Sequence, residues 1–125
     1  PYQEKSTLNY SLNAADVHWC VNAKGIKGVS CPSKYYGISA VAKSVLAVLE
    51  KETEIRYIIE QTNSGLCSDP GNYKAVEQNI RWFIENAHTN KLAEMGKNGR
   101  AAAEREYNWN TQEKKLLALY NAVLG

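Results

Sequence analysis

The chain has 125 residues, enough for one domain whose core needs no metal or disulfide staple. Fifteen Lys and Arg against thirteen Asp and Glu leave a formal charge of +2, which argues against a basic protein coating nucleic acid and against an acidic disordered tail. No apolar run approaches the roughly 18 residues that a bilayer span needs, and no basic-then-apolar leader opens the sequence, so neither a membrane span nor secretion is expected.

Two details of the count stand out. The first residue is proline, so the chain is expected to be a piece of a longer product. The cysteines, Cys20, Cys31 and Cys67, are odd in number, with no C-x-x-C spacing and no clustered histidines. A disulfide framework and a zinc site are therefore not expected, and a reduced cytoplasmic protein is the default.

In chain order, Ser6 to Ala15 reads as a short helix, and Asp16 to Val21 follows as a strand rich in β-favouring side chains. Residues 22–30 form a loop carrying Gly25 and Gly28. Pro32 then opens a helix expected to reach Lys43, since its missing N–H would have had no intrahelical partner at that position. The apolar run from Ser44 to Leu49 is that of a strand covered on both faces. Glu52 to Thr62 is a helix with Ile55, Ile58 and Ile59 on one side and Thr53 as its cap. Gly65 to Ser68 is a third strand, and Asp69-Pro70-Gly71 is a turn.

Beyond residue 71 only helices are expected. Asn72 to Ala87 places Val76, Ile80, Phe83 and Ile84 inward; Asn90 to Tyr107 is interrupted by Gly96 and Gly99, which would divide it in two; Thr111 to Leu124 repeats Leu116, Leu119 and Val123 at helical spacing. Strands separated by helices imply βαβ units and a parallel sheet, so the fold class is α/β, with βα units over 1–71 and a helical tail over 72–125. Three strands are few for such a sheet, and further strands are expected upstream.

Ligands of open α/β sheets bind at the carboxyl ends of the strands. The segment 23–37 places glycines, three lysines and serine hydroxyls before a helix start, where free N–H groups and the helix dipole favour an anion. That pattern fits a phosphate or diphosphate seat; it fits a surface loop with solvated lysines as well. Neither G-x-x-x-x-G-K-S/T nor G-x-G-x-x-G occurs. His18 lies inside a strand and reads as a packed, hydrogen-bonded histidine; His88 falls between helices and reads as exposed. Glu54 opens a helix past the second strand, as a ligand-facing carboxylate or as a first-turn acid favoured by the dipole. Trp82, Phe83 and Trp109 read as packing residues, and no nucleophile triad, acid–base pair or metal cluster stands out.

The strings A-D-V-H-W (Ala15–Trp19), P-S-K-Y-Y-G-I-S-A-V-A-K-S-V-L-A-V (Pro32–Val48), S-G-L-C-S-D-P-G-N (Ser64–Asn72), M-G-K-N-G-R (Met95–Arg100), Y-N-W-N (Tyr107–Asn110) and L-L-A-L-Y (Leu116–Tyr120) occur in order. Together they resemble the C-terminal half of retaining glycosyltransferases of the group-1, family 4-like type, in the subgroup with a P-S-K-x-Y-G motif. Those enzymes have the GT-B fold, two facing Rossmann-like domains, of which the C-terminal one holds a nucleoside-diphosphate sugar. The resemblance implies a partial donor-binding domain with a sheet edge left open by upstream strands, and thus swapping or oligomerisation of the isolated piece.

The same resemblance implies site residues. The amides of Ser33 and Lys34, with the Ser33 hydroxyl, match positions facing the donor diphosphate, and Lys34 adds a point charge. Tyr35 and Gly37 belong to the same motif, and Glu54 matches a glutamate at the next helix start. Two motif glutamates of the family fall here on Val29 and Gly37, and the usual glycine and proline before the second strand are Ala42 and Ser44. The implied function is sugar transfer to an acceptor hydroxyl in polysaccharide or glycoconjugate biosynthesis. It would need no metal or cofactor, the isolated piece would be inactive, and the acceptor domain of the same protein would be its partner. Nucleic acid is not an expected partner. The cationic helix with Lys91, Lys97, Arg100 and Arg105 is either a peripheral contact with the inner membrane face or a solvated surface. The alternatives are a sugar-nucleotide epimerase and a non-catalytic regulatory or scaffold domain derived from such an enzyme.

Overall fold

A computed structural model describes residues 4–125. The elements run α1 (Leu8–Asn13), β1 (Val17–Val21), α2 (Lys34–Ala40), β2 (Ser44–Val48), α3 (Glu54–Thr62), β3 (Gly65–Ser68), α4 (Tyr73–Glu85), α5 (Lys91–Arg105) and α6 (Trp109–Leu124). The three strands form one parallel sheet in the order β1-β2-β3, with Trp19 opposite Leu46 and Leu46 opposite Leu66. The architecture is α/β: a Rossmann-like parallel sheet, flanking helices and a helical C-terminal segment.

Every residue of the central β2 is buried, as its uninterrupted apolar run requires. Its side chains alternate between two cores. Val45, Ala47 and the following Leu49 join Cys20, Tyr35 and Ile38 and the α3 isoleucines Ile55, Ile58 and Ile59; Leu46 meets Phe83 of α4 and Met95 of α5 on the other face. The helical part is not detached from the βα part, since α4 and α5 complete this second core.

Local chemistry sets the helix ends. The Asn72 side chain accepts the Ala75 N–H at 3.1 Å, and Asn108 accepts that of Thr111 at 3.0 Å, which fixes where α4 and α6 begin. Thr53 stands at the start of α3 with extended backbone, but its hydroxyl donates to the Glu50 carbonyl at 2.8 Å and leaves the helix amides uncapped. Helix α2 begins at Lys34, two residues after the expected Pro32, and ends at Ala40 because Ala42 turns left-handed (φ 54°) into β2.

Three expectations are corrected. Gly96 and Gly99 do not divide α5; both are buried in one continuous helix, where they let it approach Ala42, Ser39 and Ser64. Ile84 points outward from α4, whose inward residues are Phe83 and the partly buried Ile80 and Trp82. Leu116, Leu119 and Val123 of α6 are exposed, and Trp109 is 90% exposed, so that helix presents its apolar side chains to solvent. Among the described residues no helix is long and apolar enough to cross a membrane.

Candidate functional site

A crevice lies where β1 and β2 end. β1 runs into the loop 22–33, and β2 into the short turn before α3. The loop is held at three places. The Asn22 amide donates to the Ser30 carbonyl at 3.1 Å, and the Gly25 and Lys27 N–H groups each donate to one Glu50 carboxylate oxygen at 3.1 Å. The Lys27 ammonium also pairs with Glu52. Gly25 and Gly28 adopt left-handed backbone (φ 86° and 77°), which explains why glycines occupy these two positions of so tight a loop.

Between this loop and the start of α3 is a cavity of about 300 Å³, walled by residues 27–32 on one side and Glu52, Thr53, Glu54 and Ile55 on the other. A second cavity, about 320 Å³, is walled by Tyr36, Glu54, Tyr107, Gln112 and Lys115. Glu54 borders both. The Tyr36 and Tyr107 rings stand 5.7 Å apart at 54°, and burial, with smaller contributions from neighbouring anionic groups, raises both phenol pKa values.

The residues singled out from sequence fall in different places. Ser33 and Lys34 are exposed at the start of α2, just past the cavity wall. The Ser33 N–H donates to the Cys31 carbonyl at 2.8 Å, and its hydroxyl makes no capping bond. Among the described residues the Lys34 ammonium has no ion-pair partner. Tyr35 is buried in the core, its hydroxyl 3.0 Å from Ser64 Oγ, and Gly37 faces Leu12 of α1. Of the five, Glu54 alone lines either of these two cavities. Val29 is exposed, and no carboxylate stands at it or at Gly37.

Sequence reasoning did not single out Tyr36, Tyr107, Gln112 and Lys115. A signal existed for Tyr36: on a helix that buries Tyr35 and Ile38, the neighbouring residue is turned by about 100° away from the core. His18 matches its reading, with Nε2 2.8 Å from the Leu12 carbonyl. Trp82 packs edge-to-face on Phe83 at 5.4 Å. No cluster of metal-ligating side chains occurs among the described residues.

Over its full length the chain is 30% identical to the probable glycosyltransferase WbjE of Pseudomonas aeruginosa. The likeness is to a probable glycosyltransferase. The chain spans 30% of the length of that relative. No protein-family model matches the chain, and no solved structure matches it.

Proposed function

We propose that the chain is the donor-binding portion of a glycosyltransferase of the GT-B type, taking a nucleoside-diphosphate sugar into the crevice at the carboxyl ends of β1 and β2. The observation that carries this reading is the full-length similarity to a probable glycosyltransferase. The parallel sheet supports it, because a crevice outside the carboxyl ends of parallel strands is where ligands of open α/β sheets bind.

In this reading Lys27 and Lys34 offset the negative charge of the diphosphate, and Glu54 accepts hydrogen bonds from ligand hydroxyls. Ser33 takes part through its hydroxyl, and the Lys34 amide is the N–H of that pair left without an acceptor among the described residues. Tyr35 supports the site from behind by anchoring α2 to Ser64, and Gly37 lies on the same helix against Leu12 of α1. Catalysis then rests on positioning and on stabilising the departing diphosphate, with an acceptor hydroxyl as nucleophile. The acceptor is held by a further domain of the same protein, and the chain alone does not transfer sugar. The product belongs to polysaccharide or glycoconjugate assembly, in the cytoplasm at the inner membrane face. The free edge of β1 makes a second copy a further partner of the isolated chain.

Assays with nucleoside-diphosphate sugars separate the readings. Transfer by the longer protein and none by the 125-residue chain is the expected result; transfer by the chain alone contradicts the assignment of the acceptor to a further domain. Epimerised donor without any acceptor marks an epimerase. The absence of carboxylates at Val29 and Gly37 favours a second reading, a non-catalytic scaffold or regulatory domain, which retained transfer by the longer protein excludes.

A further inference from the structure

Lys27 and Glu52 belong to opposite walls of the roughly 300 Å³ cavity and are joined to each other by an ion pair. Among the described residues Lys27 is the one cation lining that cavity. An anion entering therefore meets an ammonium that is already neutralised.

The neighbouring glutamate has a separate task. Glu50 holds the loop through its backbone, accepting the N–H groups of Gly25 and Lys27, and so keeps the Lys27 main chain in place whether or not Glu52 is engaged. Among the described residues the Glu52 carboxylate bonds no backbone group of the loop and reaches only the Lys27 side chain, from a left-handed backbone (φ 63°) that carries it towards the loop. The pair sits at the open side of the cavity, with the Glu52 side chain 82% exposed and that of Lys27 43% exposed. The Glu52 carboxylate can thus turn into water with little desolvation cost, while the lysine stays at the wall.

We infer that the Lys27–Glu52 pair is a charge gate, in which the diphosphate group of a ligand displaces the Glu52 carboxylate and takes over Lys27. The inference rests on the reading that this cavity receives a nucleoside diphosphate group. Glu52 is then a specificity-determining residue. A diphosphate carries enough charge to outcompete one carboxylate, whereas an uncharged sugar or nucleoside leaves the pair closed. The size of the effect follows from the exposure of the pair. Exposed ion pairs are weak, so relieving the competition tightens anion binding by only about two- to fivefold.

Titration calorimetry of the protein with inorganic pyrophosphate tests this. Glu52→Gln is expected to bind pyrophosphate about two- to fivefold more tightly than the parent, and Lys27→Met to bind it more weakly. In the Lys27→Met background the Glu52→Gln substitution should bring no gain, which distinguishes a gate on Lys27 from a general loss of negative charge. Glu50→Gln, which loosens the loop, should weaken binding. Equal binding by Glu52→Gln and the parent, the same gain with and without Lys27, or no pyrophosphate binding by either protein overturns the gate. If the gate behaves as stated but UDP, GDP and ADP bind no better than pyrophosphate, the gate stands and the nucleotide reading falls.

Discussion

Gly96 of α5 lies so close beneath Ala42 that a β-carbon on it would stand 1.9 Å from the Ala42 carbonyl oxygen. Ala42 sits in the left-handed turn that feeds β2, so the obstacle is backbone and cannot swing aside. Gly96→Ala is expected to cost about 3 kcal/mol or more, since overpacking against an immovable group exceeds the roughly 1 kcal/mol that alanine gains over glycine in a helix. Chemical denaturation measures it. Gly99→Ala meets the Ser64 β-carbon at 3.2 Å and the Ser39 hydroxyl at 3.4 Å, contacts that a shift of a few tenths of an ångström relieves. Its expected change is within about 1 kcal/mol of zero.

Ser39 faces the same crossing. Its hydroxyl is buried with no hydrogen-bond partner among the described residues, and a desolvated hydroxyl left unpaired costs about 1 kcal/mol or more. Ser39→Ala removes the group and adds helix propensity at one stroke, so the unfolding midpoint should rise. A lower midpoint would mean that the hydroxyl is bonded in solution.

Arg56 ties three segments together near the crevice. Its guanidinium donates to the Leu49 carbonyl and the Glu60 carboxylate at 2.8 Å and to the Asp69 carboxylate at 2.5 Å, joining the end of β2, helix α3 and the turn after β3. Burial opposes its charge, but the two carboxylates outweigh burial and raise its pKa above the usual arginine value. Arg56→Ala is expected to lose about 2 kcal/mol or more of stability, and Arg56→Lys to recover only part, because an ammonium lacks the planar fork that reaches all three acceptors. Equal stability of the lysine variant and the parent would contradict this account.

How much of this was legible in the sequence depends on what sets each feature. β2 is plain from composition, because a strand buried on both faces must be apolar throughout. The start of α4 near Asn72 is legible too, because a side-chain acceptor three residues before a free N–H is a local matter. The continuity of α5 was not, since glycine reads as a breaker until the backbone packed against Gly96 is known. The apolar residues of α6 show the same limit: periodicity reveals a face such as Leu116, Leu119 and Val123, but not whether anything in the chain covers it. At the site, the motif around Ser33 and Lys34 drew the eye along the sequence to Tyr35, while the folded chain turns Tyr36 to the cavity and Tyr35 to the core.

The three thiols should differ in reactivity. Cys31 is exposed beside the cavity, so a thiol reagent at mildly alkaline pH should modify it first. Burial pushes the Cys20 thiol up to about 11 and the Cys67 thiol up to about 12, from an ordinary value of 9.0, so both should react far more slowly. Because these folded-state values are raised, the unfolded chain releases the two protons first. Stability should therefore hold below about pH 9 and fall as the pH rises towards 11 and 12. Mass spectrometry of timed alkylation and denaturation across that alkaline range check both statements.

The central claim is that a nucleoside diphosphate binds in the crevice at the ends of β1 and β2. Two-dimensional NMR of the protein titrated with UDP, GDP and ADP tests it most directly. Saturable movement of the amides of Lys27 to Cys31, Ser33, Lys34 and Thr53 to Ile55 by at least one nucleotide is the predicted result. No movement there, or movement confined to the cationic face of α5, would contradict it.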